Sequence, residues 1–114
     1  MIVIENLVLR YLQGKLPVPV YVAKPEKPPT SRFVFLEKLG SGRSNHVKRA
    51  TFAVQSYGES LLDAINLNEE VKAAMDSITE LSEVTASRLN SDYPFHDDER
   101  RRYRYQAVYD LTHY

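Results

Sequence analysis

The sequence predicts an α+β domain, in which an N-terminal helix and one longer helix pack on a mostly antiparallel sheet of about five strands. Three observations support this fold class. Two segments carry apolar residues at helical spacing, five shorter segments have strand-like composition, and turn-forming residues separate neighbouring strands as in hairpins. The length of 114 residues fits a single domain, which we place at 1–114.

The first 32 residues predict a helix, an edge strand and a loop. Residues 2–13 predict a short amphipathic helix, which Gly14 is expected to stop. Leu16–Val22 contains two prolines, which cannot donate to a strand ladder, so it predicts an edge strand or its approach. Residues 23–32 hold three further prolines among charged residues and predict an extended, solvated loop.

The next segment predicts a β-hairpin with a long tip. Phe33–Leu36 is apolar at every position, which indicates a strand buried on both faces. Residues 40–45 consist mostly of Gly and Ser and predict a flexible connecting loop. Residues 46–56 predict the returning strand, whose inner face carries Ala50, Phe52 and Val54.

A longer helix is predicted over about 57–76. Ser56 is expected to cap its N-terminus, because Glu59 stands three residues later at capping-box spacing. Apolar residues then recur at near-helical intervals, namely Leu61, Ala64, Ile65, Val71, Met75 and Ile78.

Two strands complete the predicted sheet. Val84–Leu89 predicts the first of them, and residues 92–99 predict a polar turn around Pro94. Residues 102–114 alternate strongly and predict the last strand. We expect its tyrosine face to pack on a helix, with Tyr103, Tyr105, Ala107, Tyr109 and Leu111. The opposite face, which we expect to be solvated or an interface, carries Arg102, Arg104, Gln106, Val108 and Asp110.

The composition excludes several classes of function. Basic and acidic residues balance at 15 each, so the chain lacks the net field of a general nucleic-acid or membrane-surface binder. The absence of cysteine excludes disulfides and Cys-ligated zinc. No apolar run approaches the ~20 residues of a membrane-spanning helix, and no signal-peptide pattern is present. We therefore expect a soluble protein made in a cytoplasm.

Three motifs resemble ligand sites, but their context favours a simpler interpretation. Gly40–Gly42 lacks the Gly-Lys-Ser/Thr ending and the following helix of a phosphate-binding loop. Asp92, His96 and the acidic run Asp97–Glu99 could ligate a metal, but no second His lies nearby at the spacing expected for a metal site. The serines lack a nucleophile elbow, and the spacing of the three histidines suggests no triad. We expect no catalytic residue, cofactor or metal, and no enzyme.

An alternative function is that of a small nucleic-acid-binding module built on the Arg-rich C-terminal strand. Arg100–Arg102 and Arg104 neighbour two tyrosines, and this combination suits phosphate contacts and base stacking. The alternation places Arg102 and Arg104 on the face opposite these tyrosines, and Asp97–Glu99 offsets the basic charge. We favour a solvated or interface strand.

The order of elements resembles that of siphophage tail-terminator and tail-completion proteins, which belong to the head–tail neck. Three stretches carry the resemblance. The first is the N-terminal helix leading through Pro17–Val20 and the Pro-rich loop to Phe33–Phe35. The second is Ala50–Tyr57, a strand that runs straight into a helix. The third is the turn Tyr93–Asp97 followed by Arg104–Tyr109.

The resemblance implies a structural virion protein that forms a ring, expected to be hexameric, which caps the tail tube and joins it to the head connector. Its implied partners are copies of itself, the major tail tube protein and a head-completion or connector protein. It implies no membrane and no cofactor, and nucleic acid only in passage through the ring lumen. The implied location is the tail or neck of the virion, after assembly in the host cytoplasm.

We further predict that complementary charges set the register of the ring, because each subunit of a heterologous ring presents two different faces. Basic residues flank the long hairpin, and acidic residues precede the last strand. The candidate subunit interface therefore consists of Arg43, Lys48, Arg49, Asp97, Asp98, Glu99, Arg102 and Arg104.

Overall fold

The computed structural model describes residues 3–23, 31–95 and 103–114. Within them, two α-helices pack on a five-stranded sheet, which confirms the predicted α+β class. The elements are α1 (Ile4–Lys15), β1 (Val20–Tyr21), β2 (Phe33–Ser44), β3 (Val47–Gly58), α2 (Leu61–Asp76), a 3-10 helix (Ile78–Glu80), β4 (Val84–Pro94) and β5 (Tyr103–His113).

The strand order is β1-β2-β3-β5-β4, with β1 parallel to β2 and every other pair antiparallel. β3 and β5 are inner strands of the sheet and pair from Lys48 with His113 to Gly58 with Tyr103. β1 pairs only with Val34 and Phe35 of β2. The outer edge of β2 from Glu37 to Ser44 therefore has no strand partner among the described residues, and β4 forms the opposite edge.

The core lies between the helices and one face of the sheet, where apolar residues alternate along each strand. Tyr109 of β5 and Phe52 of β3 are opposite each other in the ladder and are both fully buried. Around them the core contains side chains from both helices and from all five strands, including Val8, Leu12, Leu36, Val54, Leu67, Val71, Met75 and Leu111.

At the start of the chain the predicted helix is confirmed, and the edge strand is shorter than predicted. α1 continues past Gly14, and the N–H of Leu16 still donates to the carbonyl of Leu12 at 2.9 Å. Pro17 then ends the hydrogen-bonded pattern because it has no N–H. The prediction of a strand over Leu16–Val22 was too long, since only Val20–Tyr21 pairs, although it does form the sheet edge.

The loop predicted at residues 40–45 is wrong, because β2 and β3 pair through it as far as Ser44 and Val47. The connection is a two-residue turn, in which Asn45 and His46 have φ values of 50° and 68°. Positive φ at both central residues suits the right-handed twist of a hairpin. One bulge interrupts the pairing at Leu39, between Lys38 and Gly40.

The predicted helix cap was also wrong. Ser56 lies within β3 and is fully buried, and the N-cap is Ser60, whose hydroxyl accepts the N–H of Asp63 at 3.1 Å. The carboxylate of Asp63 accepts the N–H of Glu59 at 3.0 Å. α2 therefore begins at Leu61, while its end at Asp76 agrees with the prediction.

Of the last two strands, β4 is longer than predicted and β5 is more buried than predicted. β4 extends beyond Leu89 to Pro94, with register shifts between Val84 and Ala86 and between Leu89 and Ser91. On β5 the predicted inner face is confirmed for Ala107, Tyr109 and Leu111, which are buried in the core. It is wrong for Tyr103, which is 43% exposed near the end of the sheet, and Tyr105 is only half-buried. The opposite face was expected to be solvated or an interface, but Arg104, Gln106 and Val108 are buried too.

Candidate assembly surfaces

The most exposed part of the molecule is the distal half of the β2–β3 hairpin, residues 37–49, which we call the hairpin arm. All thirteen residues are exposed, and Leu39 and Val47 show 54% and 38% of their surface to solvent. β5 reaches only as far as Lys48, so the turn at Asn45 and His46 extends beyond the rest of the sheet. The molecule is accordingly elongated, with a longest dimension of 44 Å.

The hairpin arm carries a row of basic side chains that face one another. Arg43 lies opposite Lys48 across the hairpin, and Lys48 lies opposite His113 of β5. Directly opposed like charges destabilise an isolated sheet. Among residues 3–23, 31–95 and 103–114, no carboxylate forms an ion pair with Arg43, Lys48 or Arg49. The row is therefore suited to an anionic partner.

A cavity of about 420 Å³ lies beside this row, between the hairpin arm and the start of α1. Its single acidic side chain is Glu5, which pairs with Lys38 at 3.2 Å. A hydrogen bond from the backbone at the helix start and the ammonium of Lys38 lower the pKa of Glu5. The rest of the lining is mostly basic or apolar, with Val3, Ile4, Arg43, Lys48, Arg49 and His113.

A second surface of opposite charge covers α2 and its flanks. Residues 59–83 contain seven carboxylates and one basic residue, Lys72. The outer stripe of α2 is exposed from Leu62, which shows 67% of its surface, through Glu69 to Asp76. Glu69 and Asp92 both contact the ammonium of Lys72 at 2.9 Å and hold the pKa of that group above its ordinary value. We call this the acidic helix surface.

The sheet face opposite the helices carries a polar and aromatic network centred on Arg104. The guanidinium donates to the carbonyl of Phe95 at 2.8 Å, to the Tyr57 hydroxyl at 2.8 Å and to Gln55 at 3.2 Å. It also stacks 4.0 Å from the ring centre of Phe95 and 5.4 Å from that of Tyr57. Arg104 is only 8% exposed, so its charge is stabilised inside the subunit.

The network continues along the same face in two directions. The amide of Gln106 donates to Tyr93 at 2.6 Å and accepts from Gln55 at 3.0 Å. Tyr57 stacks on Phe33 with ring centres 4.3 Å apart. Strands β2 to β5 are thereby linked through side chains as well as through their ladder.

The structure separates the predicted interface residues into three groups. Arg43, Lys48 and Arg49 lie together on the exposed hairpin arm. Arg104 is buried within its own subunit. The remaining predicted residues lie outside the described ranges, namely Asp97, Asp98, Glu99 and Arg102.

Sequence reasoning missed the acidic helix surface and the partners of Arg104. The charge imbalance of residues 59–83 in the sequence could have predicted the acidic helix surface. The Arg104 network is less evident from the sequence, where the only indication is that Gln55 and Tyr57 alternate with the predicted inner-face residues of β3.

Other kinds of site are not found in the described residues. No group of three His, Asp or Glu side chains there is placed to hold a metal ion. Asp92, the described member of the predicted metal candidates, instead accepts from Asn68 and Lys72. No helix in the described part of the chain has the length and apolar character needed to cross a membrane.

The fold is similar to that of a known chain, whereas the sequence gives no match. No family model and no curated protein matches it. A chain in a solved structure described as "Virion of native gene transfer agent (GTA) particle" superposes with a TM-score of 0.56 at 12% identity. The match covers 93% of this chain and 90% of that one. The likeness concerns the whole fold.

Proposed function

We propose that the chain is a structural protein of a phage-like virion. The observation that carries the proposal is the fold similarity to a chain of a gene transfer agent virion, which extends over nearly the whole of both chains. The surface of the described residues also suits assembly. It offers an unpaired strand edge, an exposed arm and two groups of opposite charge.

More specifically, we infer that it is a tail-terminator or neck subunit. Copies form a ring, hexameric in our proposal, that caps the tail tube and joins it to the head connector. Its partners are then the tube protein on one side and a head-completion or connector protein on the other. The chain would reach the neck of the virion from the host cytoplasm and would perform no catalysis. DNA would contact it only in passage through the lumen.

A ring subunit needs two different surfaces that fit each other, because a heterologous contact closes only when it repeats around an axis. The hairpin arm supplies one such surface. We retain Arg43, Lys48 and Arg49 as interface residues, and we keep Asp97, Asp98, Glu99 and Arg102 as sequence-based candidates. For Arg104 we propose a structural role that holds the last strand in place.

Mass measurement with negative-stain imaging tests the proposal. We expect ring-shaped particles of about 79 kDa, six times the 13.1 kDa of one chain, whose abundance rises with protein concentration. A different closed ring would correct only the subunit number. A chain that stays at 13.1 kDa at every concentration, and also fails to bind isolated tail tubes, would contradict the proposal.

A further inference from the structure

The hairpin arm and the acidic helix surface carry opposite net charges on a chain that is neutral overall. Residues 37–49 hold four basic side chains and one acidic, a net charge of +3, whereas residues 59–83 hold seven acidic and one basic, a net charge of −6. Arg32 pairs with Asp63 and Glu70, and Lys15 pairs with Glu80. Counting these two cations, the acidic helix surface still carries −4.

The two surfaces differ in place as well as in charge. β3 runs from the turn of the hairpin arm to Gly58, and α2 begins three residues later. Twelve strand residues span roughly 40 Å at about 3.3 Å each, close to the 44 Å length of the molecule. The start of α2 therefore lies near the end of the molecule opposite the hairpin turn. The acidic helix surface then runs back along α2 to Glu83, near the base of the arm, since Val84 and Lys48 both pair with His113. The two surfaces are different parts of the molecule, so a contact between them in two copies is heterologous and propagates.

We propose that the hairpin arm of one copy docks on the acidic helix surface of the next. This inference rests on the proposed ring and names the contact that builds it. The facing cations Arg43 and Lys48 then receive counter-charges that no carboxylate in the described part of their own subunit provides as an ion pair. Exposed apolar side chains accompany the charges on both sides, with Leu39 and Val47 on the arm and Leu61 and Leu62 on α2.

The acidic run Asp97–Glu99 is less suited than the acidic helix surface to bind the basic hairpin arm, because its charge is compensated. Arg100, Arg101 and Arg102 follow it directly, so the six residues sum to zero. Residues 59–83 have no such compensation in sequence. We therefore assign the arm to α2 and use the 97–98 pair as the comparison in the test.

A charge-swap experiment with the full chain tests this contact. The arm variant carries Arg43→Glu and Lys48→Glu, and the helix variant carries Glu69→Lys and Glu70→Lys. In the arm variant both surfaces are net negative (+3 − 4 = −1 on the arm), and in the helix variant the acidic helix surface is neutralised (−4 + 4 = 0) and gains lysines beside Lys72. We therefore expect each variant alone to lose more than about tenfold in association constant. Mixed in equal amounts, the variants offer one wild-type contact and one swapped contact, and we expect rings to return. Particle mass in low salt is the measurement.

Controls separate the possible outcomes. Circular dichroism verifies folding, and the neutral changes Arg43→Gln and Lys48→Gln replace the arm variant if it fails to fold. The comparison variant Asp97→Lys with Asp98→Lys is expected to assemble like wild type.

Three results would overturn the contact. The first is normal assembly of both swapped variants alone, and the second is failure of the mixture. The third is loss of assembly in the 97–98 variant only. Salt-sensitive binding of the wild type to duplex DNA, lost in the arm variant while its rings persist, would assign the arm to phosphate instead. A wild-type chain that forms no rings and also fails to bind isolated tail tubes would contradict the proposed function itself.

Discussion

The phenol of Tyr109 donates a 2.8 Å hydrogen bond to Oδ1 of Asp76, which ties the centre of β5 to the last turn of α2. Tyr109 is fully buried, and its hydroxyl also lies 3.3 Å from the carbonyl of Lys72. Burial raises the pKa of Tyr109 well above its ordinary value, and the bond to Asp76 adds to the shift. The folded protein therefore binds the phenolic proton more tightly than the unfolded chain does.

This linkage predicts a loss of stability in alkali. The contribution of the neutral phenol is fully present below about pH 10, the ordinary pKa of tyrosine, and is lost as the pH rises toward the higher folded pKa. Tyr109→Phe should cost about 1 kcal/mol near neutral pH and should flatten the decline between about pH 9 and pH 11. Urea titrations at several pH values measure both effects. Tyr114→Phe, at a position 65% exposed, should keep the wild-type decline. Equal slopes for Tyr109→Phe and wild type would contradict the prediction.

Gly58 is predicted to tolerate no side chain. A Cβ there would lie 2.5 Å from the backbone N of Ala64 and 2.9 Å from the carbonyl carbon of Asp63, so the end of β3 would have to move away from α2. Gly58→Ala should lower the free energy of unfolding by about 1–3 kcal/mol. Gly42→Ala is the matched control, since a Cβ at Gly42 meets nothing within 4 Å. Thermal unfolding of the two variants gives the comparison, and equal melting temperatures would be inconsistent with this close approach.

Arg104 is predicted to be required for stability. Replacement by Met removes the charged donor to Phe95, Gln55 and Tyr57 and leaves Gln55 and Tyr57 with their mutual hydrogen bond. Hydrogen bonds to charged groups contribute roughly 1.5–3 kcal/mol each, so we expect Arg104→Met to destabilise by at least about 2 kcal/mol. Arg88→Met, on the exposed face of β4, should change stability by less than about 0.5 kcal/mol. A similar loss in both variants, measured by chemical denaturation, would argue against the network.

A substitution in the hairpin turn is predicted to increase the stability of the fold. His46 holds a φ of 68°, which glycine adopts without steric cost, and Asn followed by Gly is the favoured pair for such turns. His46→Gly should therefore stabilise the fold by up to about 1 kcal/mol, and His46→Val should destabilise it. Differential scanning calorimetry of the two variants provides the measurement. A fall in melting temperature for His46→Gly would show that the imidazole makes a contact worth more than the strain.

The sequence predicted the elements that depend on local residue spacing. It did not predict the segments whose structure depends on pairing with a residue far away in the chain. α1 and the start of β2 were found because their apolar spacing is strong. Ser56 and Ser60 each precede an acidic residue by three positions, so both match a helix cap. Pairing of Ser56 with Tyr105 in the ladder keeps it in β3, and this contact spans 49 residues of sequence. Local spacing alone cannot register such a contact.

The same reasoning explains the outcome at the candidate site. The glycines and serines of residues 40–44 have low strand propensity, yet pairing with β3 holds them extended. The basic residues of the hairpin arm were correctly expected to be exposed, because charged side chains on a polar segment usually face solvent. Burial of Arg104 was missed, since its acceptors come from three separate positions along the chain, at Gln55, Tyr57 and Phe95.

The bulge at Leu39 sets which side of the sheet the arm's cations point to. Before the bulge, even-numbered residues of β2 such as Leu36 face the helices. After the bulge, odd-numbered residues such as Arg43 face the helices, because its partner Lys48 lies on the inner face of β3. Leu39 is the extra residue of this bulge, which shifts the numbering of the two faces by one. Deleting Leu39 would let Lys38 and Gly40 follow each other in an unbroken ladder against Phe52 and Thr51, so Arg43 would stay opposite Lys48. A regular ladder that kept Leu39 and its pairing would instead move Arg43 to the Phe35 side.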